Sequence, residues 1–411
     1  MKWKCNMHSF PSREIYYKSK SMKPVLLLAA GLLLCTYGFS QNVGIGTANP
    51  VFKLDVRNGS INTDSVYRIG GSTILSVRNT SNLLIGHQVG LSVTGTDNTF
   101  TGYQAGNLIT TGSDNCFYGS GTGYFTTTTG SNSFFGAFAG YLNTSSFNSF
   151  FGTSAGMNNN TGFDNSFFGV QAGSSNTAGY DNSFFGKFSG GSNSTGTENS
   201  FIGWAAGYYN TTGRGNTALG YNAGVSTGAL FNATAIGAGA TVNANNKIRL
   251  GNGGVTVIEG QVPYTFPSDG RFKTNVTETV IGLDFIMKLR PVIYNFQAEK
   301  MDAFISGKTV ADVQFASHHY AEGEVIRQSG FIAQEVEKAA KETGYDFNGV
   351  VIPKNEKGTY SLAYSQFVVP LVKAVQELQA TIEQQNIIAE HQNRKIEMLL
   401  KEITLIKAKM K

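Results

Sequence analysis

Five acidic residues, Asp97, Asp114, Asp164, Asp181 and Glu198, each stand immediately before an asparagine, and those asparagines recur at intervals of sixteen or seventeen residues. Stacked in register, they would make a column of carboxylates able to bind divalent cations through oxygen ligands. The same positions suit a solvated turn, where Asp and Asn side chains bond to nearby backbone, and the turn is the simpler reading. His87, His318, His319 and His391 show no metal-ligand spacing beyond the adjacency of one pair, so neither a metal nor a cofactor is expected. Cys116 would be the lone thiol of a chain that had lost Cys5 and Cys35 by processing. Such a chain forms no internal disulfide, and its stability must come from packing or association.

The elements that position these residues are repeats: NSFFGTSAG from Asn148, NSFFGVQAG from Asn165, NSFFGKFSG from Asn182 and NSFIGWAAG from Asn199. The whole series starts at Asn82, Asn98, Asn115, Asn132, Asn148, Asn165, Asn182, Asn199 and Asn216, with Ala233 as a degenerate tenth. A short fixed period carried this far indicates a solenoid in which each unit buries its apolar face against its neighbours. Within one unit, Ser183, Phe184 and Phe185 read as a short strand. Gly186 and Gly190 supply the positive dihedrals or close approaches that tight corners need.

Successive strand side chains point to opposite faces, so Phe184 and Phe185 cannot share a core. The pairs Phe117/Tyr118, Phe134/Phe135, Phe150/Phe151, Phe167/Phe168 and Phe184/Phe185 therefore make two aromatic ladders. One fills the inside of the coil. The other is either an exposed apolar stripe that packs against sister subunits, or is buried by a wide, flattened solenoid.

The net charge of +5 does not describe a nucleic-acid face, because residues 82 to 237 hold only seven charged side chains: the five acids above, Lys187 and Arg214. The basic excess lies at the two ends, and no basic, aromatic-interleaved patch is present. Fifty glycines against eight prolines would suggest low complexity, but twenty-nine phenylalanines argue for burial and a folded chain. From Met22, the run MKPVLLLAAGLLLCTYGFSQ reads as an export signal, cleaved after Ser40, with residues 1–21 an over-extended start. Its apolar core, Val25 to Cys35, is eleven residues long, too short to span a bilayer of about 30 Å. No membrane span is expected once it is removed. A lipid-modified Cys35 is the alternative, set against it by Leu34 at the preceding position.

Two resemblances add to this reading. The units NTALGYNAG and ATAIGAGATV, followed by NNKIRLGN, resemble the head repeats of trimeric autotransporter adhesins, over roughly residues 82–252. That likeness implies a β-roll in each of three subunits. After Tyr264 the composition changes. The blocks PSDGRFKTNVTETVIGLDFIMKLRPVIYNF, GFIAQEVEKAAKETG and YSLAYSQFVVPLVKAVQELQATI closely resemble the intramolecular chaperone of endosialidases and phage tail spikes, peptidase family S74, over residues 264 to about 385. In that family a serine and a lysine five residues on form a self-cleaving dyad, and the matching positions are Ser268 and Lys273. A hydroxyl needs a base, and a partly desolvated lysine can serve as one. Asp269 and Arg271 are read as shaping the turn. The opening QNVGIGTANPVFKLDVRNGSI resembles the start of secreted, fibre-like bacterial proteins that carry this module, with Phe52, Leu54 and Val56 on an alternating strand.

From Leu371 a heptad runs to the end of the chain. Val375, Ile382, Ala389, Ile396, Ile403 and Met410 hold one core position; Leu371, Leu378, Gln385, Gln392, Leu399 and Ile406 hold the other. Spacing of this kind is a coiled-coil seam. The expectation is a mainly β chain: signal 1–40, N-terminal cap 41–81, a β-roll or solenoid stalk 82–252, a small α+β chaperone and autoprotease domain 264–370, and a coiled coil 371–411. Functionally it implies an exported homotrimeric structural protein, secreted or at the cell surface, whose C-terminal domain assembles it and releases itself by cutting at Ser268. The alternative is an adhesin or glycan-binding surface protein with a permanently attached trimerisation cap. A polysaccharide hydrolase would need clustered carboxylates at set separations, which the regular acidic column does not offer. A self-cleaving transcription factor would need a DNA-binding segment, and none is present.

Overall fold

The computed structural model describes residues 43–45, 47, 50–57, 66–78, 81–311 and 327–410. The export signal, Met22, Cys5, Cys35, His318 and His319 lie outside them. The chain divides between Asp64 and Ser65 into two units. In the first, Val43–Ile45 pairs in parallel with Leu54–Val56. Asp55 is the inward residue of that pair, accepting from the Val51 amide at 2.9 Å and from Arg57 Nη2 at 3.0 Å. These bonds, the Arg57 pair above all, hold its carboxyl below the usual carboxylate range. Phe52 and Leu54 are exposed.

The second unit contains a β-solenoid. One sheet of thirteen strands begins with the antiparallel strands Val66–Ile69, Ser72–Arg78 and Asn82–Ile85, and every later strand joins in parallel, one per coil, ending at Lys247–Leu250. The register repeats without a shift: Ser166, Phe167 and Phe168 lie beside Ser183, Phe184 and Phe185, which lie beside Ser200, Phe201 and Ile202. Phe100, Phe117, Phe134, Phe150, Phe167, Phe184 and Phe201 are wholly buried and stacked ring on ring, with Phe167–Phe184 centroids 4.8 Å apart. That distance is the spacing of neighbouring strands, so one ring per coil fills the core without slack.

The two glycines of NSFFGKFSG are both required. Gly186 has φ +133°, and a Cβ there would lie 2.3 Å from the Gly203 carbonyl oxygen of the next coil. Gly190 has φ +57°, and a Cβ there would lie 2.3 Å from the Phe184 ring. The asparagine does more than turn the chain. Asn182 is fully buried; its Nδ2 donates to Asn165 Oδ1 at 3.1 Å and to the Gly196 carbonyl at 2.8 Å, while its Oδ1 accepts from the Asn199 amide at 3.1 Å. The amide-to-Oδ1 bond recurs along the series, and the Nδ2 of Asn148 and of Asn216 turns instead to Asn143 and Asn210. A second buried column, Asn143, Asn159, Asn176, Asn193 and Asn210, is bonded in the same head-to-tail way. These ladders satisfy amides that would otherwise be costly to bury.

The second aromatic ladder faces outward. Phe135, Phe151, Phe168 and Phe185 stack at 4.6 to 4.8 Å, yet Phe185 is 40% exposed and Tyr118 57%. Ile202, Leu219, Ile236 and Leu250 carry the exposed stripe on to the last rung. The solenoid fully buries one ladder and leaves the other at its surface, where Phe135, Phe151 and Phe168 are half-buried.

Beyond the last coil lies a small β/α region built on Phe285, Val336, Ala339, Ala340, Phe347 and Phe367. Its helix Ala333–Thr343 falls on the AQEVEKAAKET run and ends at Gly344 with φ 67°. Two antiparallel pairs flank it, Val292–Asn295 with Arg327–Gly330 and Val350–Val351 with Ser361–Leu362. The chain then enters one helix, Val368–Lys409, of 42 residues. Pro370 sits in its first turn, where the missing amide costs nothing. Only Pro370 and Ala374 of this helix are buried; Leu371, Val375, Leu378, Ile382, Ile396, Leu399, Ile403 and Ile406 are all exposed.

Candidate self-cleavage site

Ser268 and Lys273 bracket a single 3-10 turn, Gly270–Phe272. Asp269 caps it, accepting from the Arg271 amide at 2.9 Å, and Lys273 closes it by donating its amide to the Gly270 carbonyl at 3.1 Å. Because the turn folds the chain back on itself, two side chains five residues apart meet: Lys273 Nζ lies 2.7 Å from Ser268 Oγ. Arg271 grips the Asp269 carboxylate through Nε at 3.0 Å and Nη2 at 2.6 Å, and this pair holds the Asp269 carboxyl below its ordinary range. Asp269 and Arg271 thus build the turn that presents the other two.

At 2.7 Å the lysine and the hydroxyl are within proton-transfer reach. A lysine acts as a base only when uncharged, and removal from water is what favours the uncharged form. In the single chain both groups are exposed, and so is every residue from 254 to 279. The turn thus brings an amine and a hydroxyl to hydrogen-bond distance on a stretch of chain open to solvent.

The other residues with chemical potential are placed differently. Asp97, Asp114, Asp164, Asp181 and Glu198 are exposed and occupy a left-handed corner with φ between 54° and 60°. Ser131, Phe147 and Gly215 take the same corner in other coils. The corner conformation, one that Asp and Asn tolerate well, accounts for the residue type there. Cys116 is half-buried on its strand, and burial raises its thiol pKa, which keeps it in the less reactive protonated form. The buried asparagine columns were not singled out from sequence as core elements; the signal for the first was an asparagine kept from Asn82 to Asn216 where Ser or Asp would cap equally well.

The structure is that of a β-solenoid followed by a small β/α region and a long C-terminal helix, an architecture suited to a repetitive structural protein. Residues 268–345 match the family model of peptidase S74, the chaperone of endosialidase. The match begins at Ser268 itself, includes Lys273 and the Ala333–Thr343 helix, and stops before the block from Tyr360 onward. No curated protein and no solved structure matches the chain. Among the described residues, no helix is long and apolar enough to cross a membrane.

Proposed function

We propose that the chain is one subunit of an exported homotrimeric fibre. Its solenoid, residues 82–252, is the stalk; its S74 module, 264–370, is the intramolecular chaperone; and residues 371–411 are the coiled coil that gathers three chains. The observation that carries this is the terminal helix: 42 residues with an apolar heptad seam that, past its first turns, is exposed and meets almost no partner among the described residues. A lone helix of that kind packs a and d residues against copies of itself. The outward aromatic stripe on the solenoid is a second unpartnered surface of the same sort, far longer than soluble monomers expose. Gathering three chains at one end raises the local concentration of the other parts, which would otherwise pair slowly.

The chemistry follows from the turn. Ser268 Oγ adds to a neighbouring backbone carbonyl carbon and gives its proton to Lys273 Nζ. The amide nitrogen then leaves with that proton, and water hydrolyses the resulting ester to restore the serine. Packing of three chains around residues 254–279 would supply the desolvation that one chain lacks.

The test combines mass and mutation. Light scattering of the mature chain should give three times the monomer mass. Without added protease, a C-terminal fragment of about 144 residues, 268–411, should appear. Ser268→Ala should abolish the fragment and leave the trimer intact, and Lys273→Ala should slow it by orders of magnitude. A clean monomer at micromolar concentration would remove the fibre reading. Unchanged cutting of Ser268→Ala would leave the module as a permanent trimerisation cap, the form that the adhesin or glycan-binding reading requires.

A further inference from the structure

The solenoid and the S74 module are joined twice. One join is the peptide, residues 254–279, exposed along its whole length. The other is a dock at the last coil. There, Thr241–Val242 pairs in parallel with Gly224–Val225 and, among the described residues, has no later coil on its far side. The module's helix Ala298–Ser306 packs on it instead. That helix buries Ala298, Ala303 and Ile305, and Ala240 and Val242 at the end of the solenoid core are wholly buried.

Polar contacts lock the same place. Arg249, on the last rung, pairs with Asp302 of the helix at 2.5 Å, and their side chains are only 14% and 12% exposed. The other Asp302 oxygen accepts from the Gly253 amide at 2.7 Å. Asn243 donates to the Lys357 carbonyl at 2.6 Å, and Asn355 donates back to the Asn243 carbonyl at 3.0 Å. Lys308 stands over the Tyr209 ring at 5.6 Å.

We propose that this dock is an interface in its own right: the helix Ala298–Ser306 stands in for the missing next coil, caps the solenoid, and keeps the S74 module bound after the peptide between them is cut. From the preceding section it takes only that Ser268 marks the natural cut. Every contact named lies outside residues 254–279, so none is lost when that peptide is broken. Undocking would uncover Val242 and separate a largely buried ion pair. If three modules are held together by their helices, all three docks must open before one trimeric cap departs, which slows its loss further. Cutting and release are then separate steps.

The experiment uses full-length Ser268→Ala protein with a specific protease site inserted between Gly260 and Gln261, so that its outcome does not depend on the dyad. After cutting, the two halves should co-elute on gel filtration at low micromolar concentration. Asp302→Ala leaves Arg249 buried without its partner and should weaken retention roughly a hundredfold or more. Asn355→Ala, on the module side and milder, should weaken it less, and the exchange Arg249→Asp with Asp302→Arg should restore part of it. Circular dichroism before cutting checks that each variant is folded. Immediate separation of folded wild-type halves overturns the proposal, and so does full retention by a folded Asp302→Ala protein.

Discussion

Replacing one buried phenylalanine separates the role of the inner ladder from that of the outer. Phe184 has no exposed surface and lies between Phe167 at 4.8 Å and Phe201 at 5.0 Å. Phe→Ala in a core costs about 3 to 5 kcal/mol, depending on how far the site can collapse. Collapse is hindered here, because backbone hydrogen bonds to the coils above and below fix their spacing and Gly190 has no side chain to move in. Two ring stacks are also lost, each worth about 0.5 to 1.5 kcal/mol beyond area. Phe184→Ala should therefore fall at the upper end, about 4 to 5 kcal/mol per chain. Phe185→Ala removes a ring that is 40% exposed, leaves no internal cavity and loses one ring stack, with Phe168 at 4.8 Å, so within one chain it should cost about 1 to 2 kcal/mol. Its effect should appear in association, as a raised dissociation constant at unchanged folded content. Both variants are made in the uncut Ser268→Ala background. Guanidinium unfolding followed by far-UV circular dichroism reads stability, or the unfolding rate where the transition is irreversible, and analytical ultracentrifugation reads the trimer. Equal costs for the two substitutions, or a Phe184→Ala cost under about 1 kcal/mol, would refute the division of labour between the ladders.

Gly186→Ala should be among the most damaging single substitutions in the solenoid, because φ is +133° and the added Cβ would lie 2.3 Å from a backbone oxygen of the next coil; a thermal midpoint shifted by only a degree or two would contradict the close stacking. Asn182→Asp places a carboxyl where Nδ2 now donates to Asn165 Oδ1 and the Gly196 carbonyl. Burial among acceptors raises the pKa of that new carboxyl, so the protonated form is the better tolerated. The destabilisation should be small below the unfolded carboxyl pKa of about 3.9 and grow as pH rises through and above it. A pH-independent cost in the same unfolding assay would show that the ladder bonds are not what holds the asparagine inside.

Much of the solenoid is legible from sequence, because its cause is local and repeated. The period gives the coil, two adjacent aromatics give two faces, and the glycines give two corners. The heptad from Leu371 likewise reads directly as the helix Val368–Lys409. Asn182 was open to a different reading, since a polar residue beside Asp181 looks like a turn, and only the stacking of coils makes its amide an interior group. The meeting of Ser268 with Lys273 rests on a five-residue spacing that chance also produces; the surrounding blocks, not the spacing, single it out. The Arg249–Asp302 pair has no sequence signal at all, because its partners lie 53 residues apart and only one of them, Arg249, belongs to the repeats.

Near-identical coils raise a difficulty that their own contacts cannot solve. A chain that pairs NSFFG with NSFFG could slip by one whole coil and recover nearly every ring stack and asparagine bond, since Phe167, Phe184 and Phe201 are interchangeable partners. Register in a repetitive sheet is weakly specified wherever neighbouring strands are alike. The ends must supply the difference. At the start, Ser72–Arg78 lies antiparallel to Asn82–Ile85, a pairing no other coil can imitate. At the finish the spacing shortens, with Ala233 beside Lys247, fourteen residues on, and the rung carries Arg249 to meet Asp302. These contacts give the first and last coils partners that no middle coil can imitate, so a slip must loop out a whole unit between them rather than shift either end. In the proposed trimer, three chains side by side would face the same ambiguity along their outer stripes, and a helix that fixed all three at one end would resolve it in the same way.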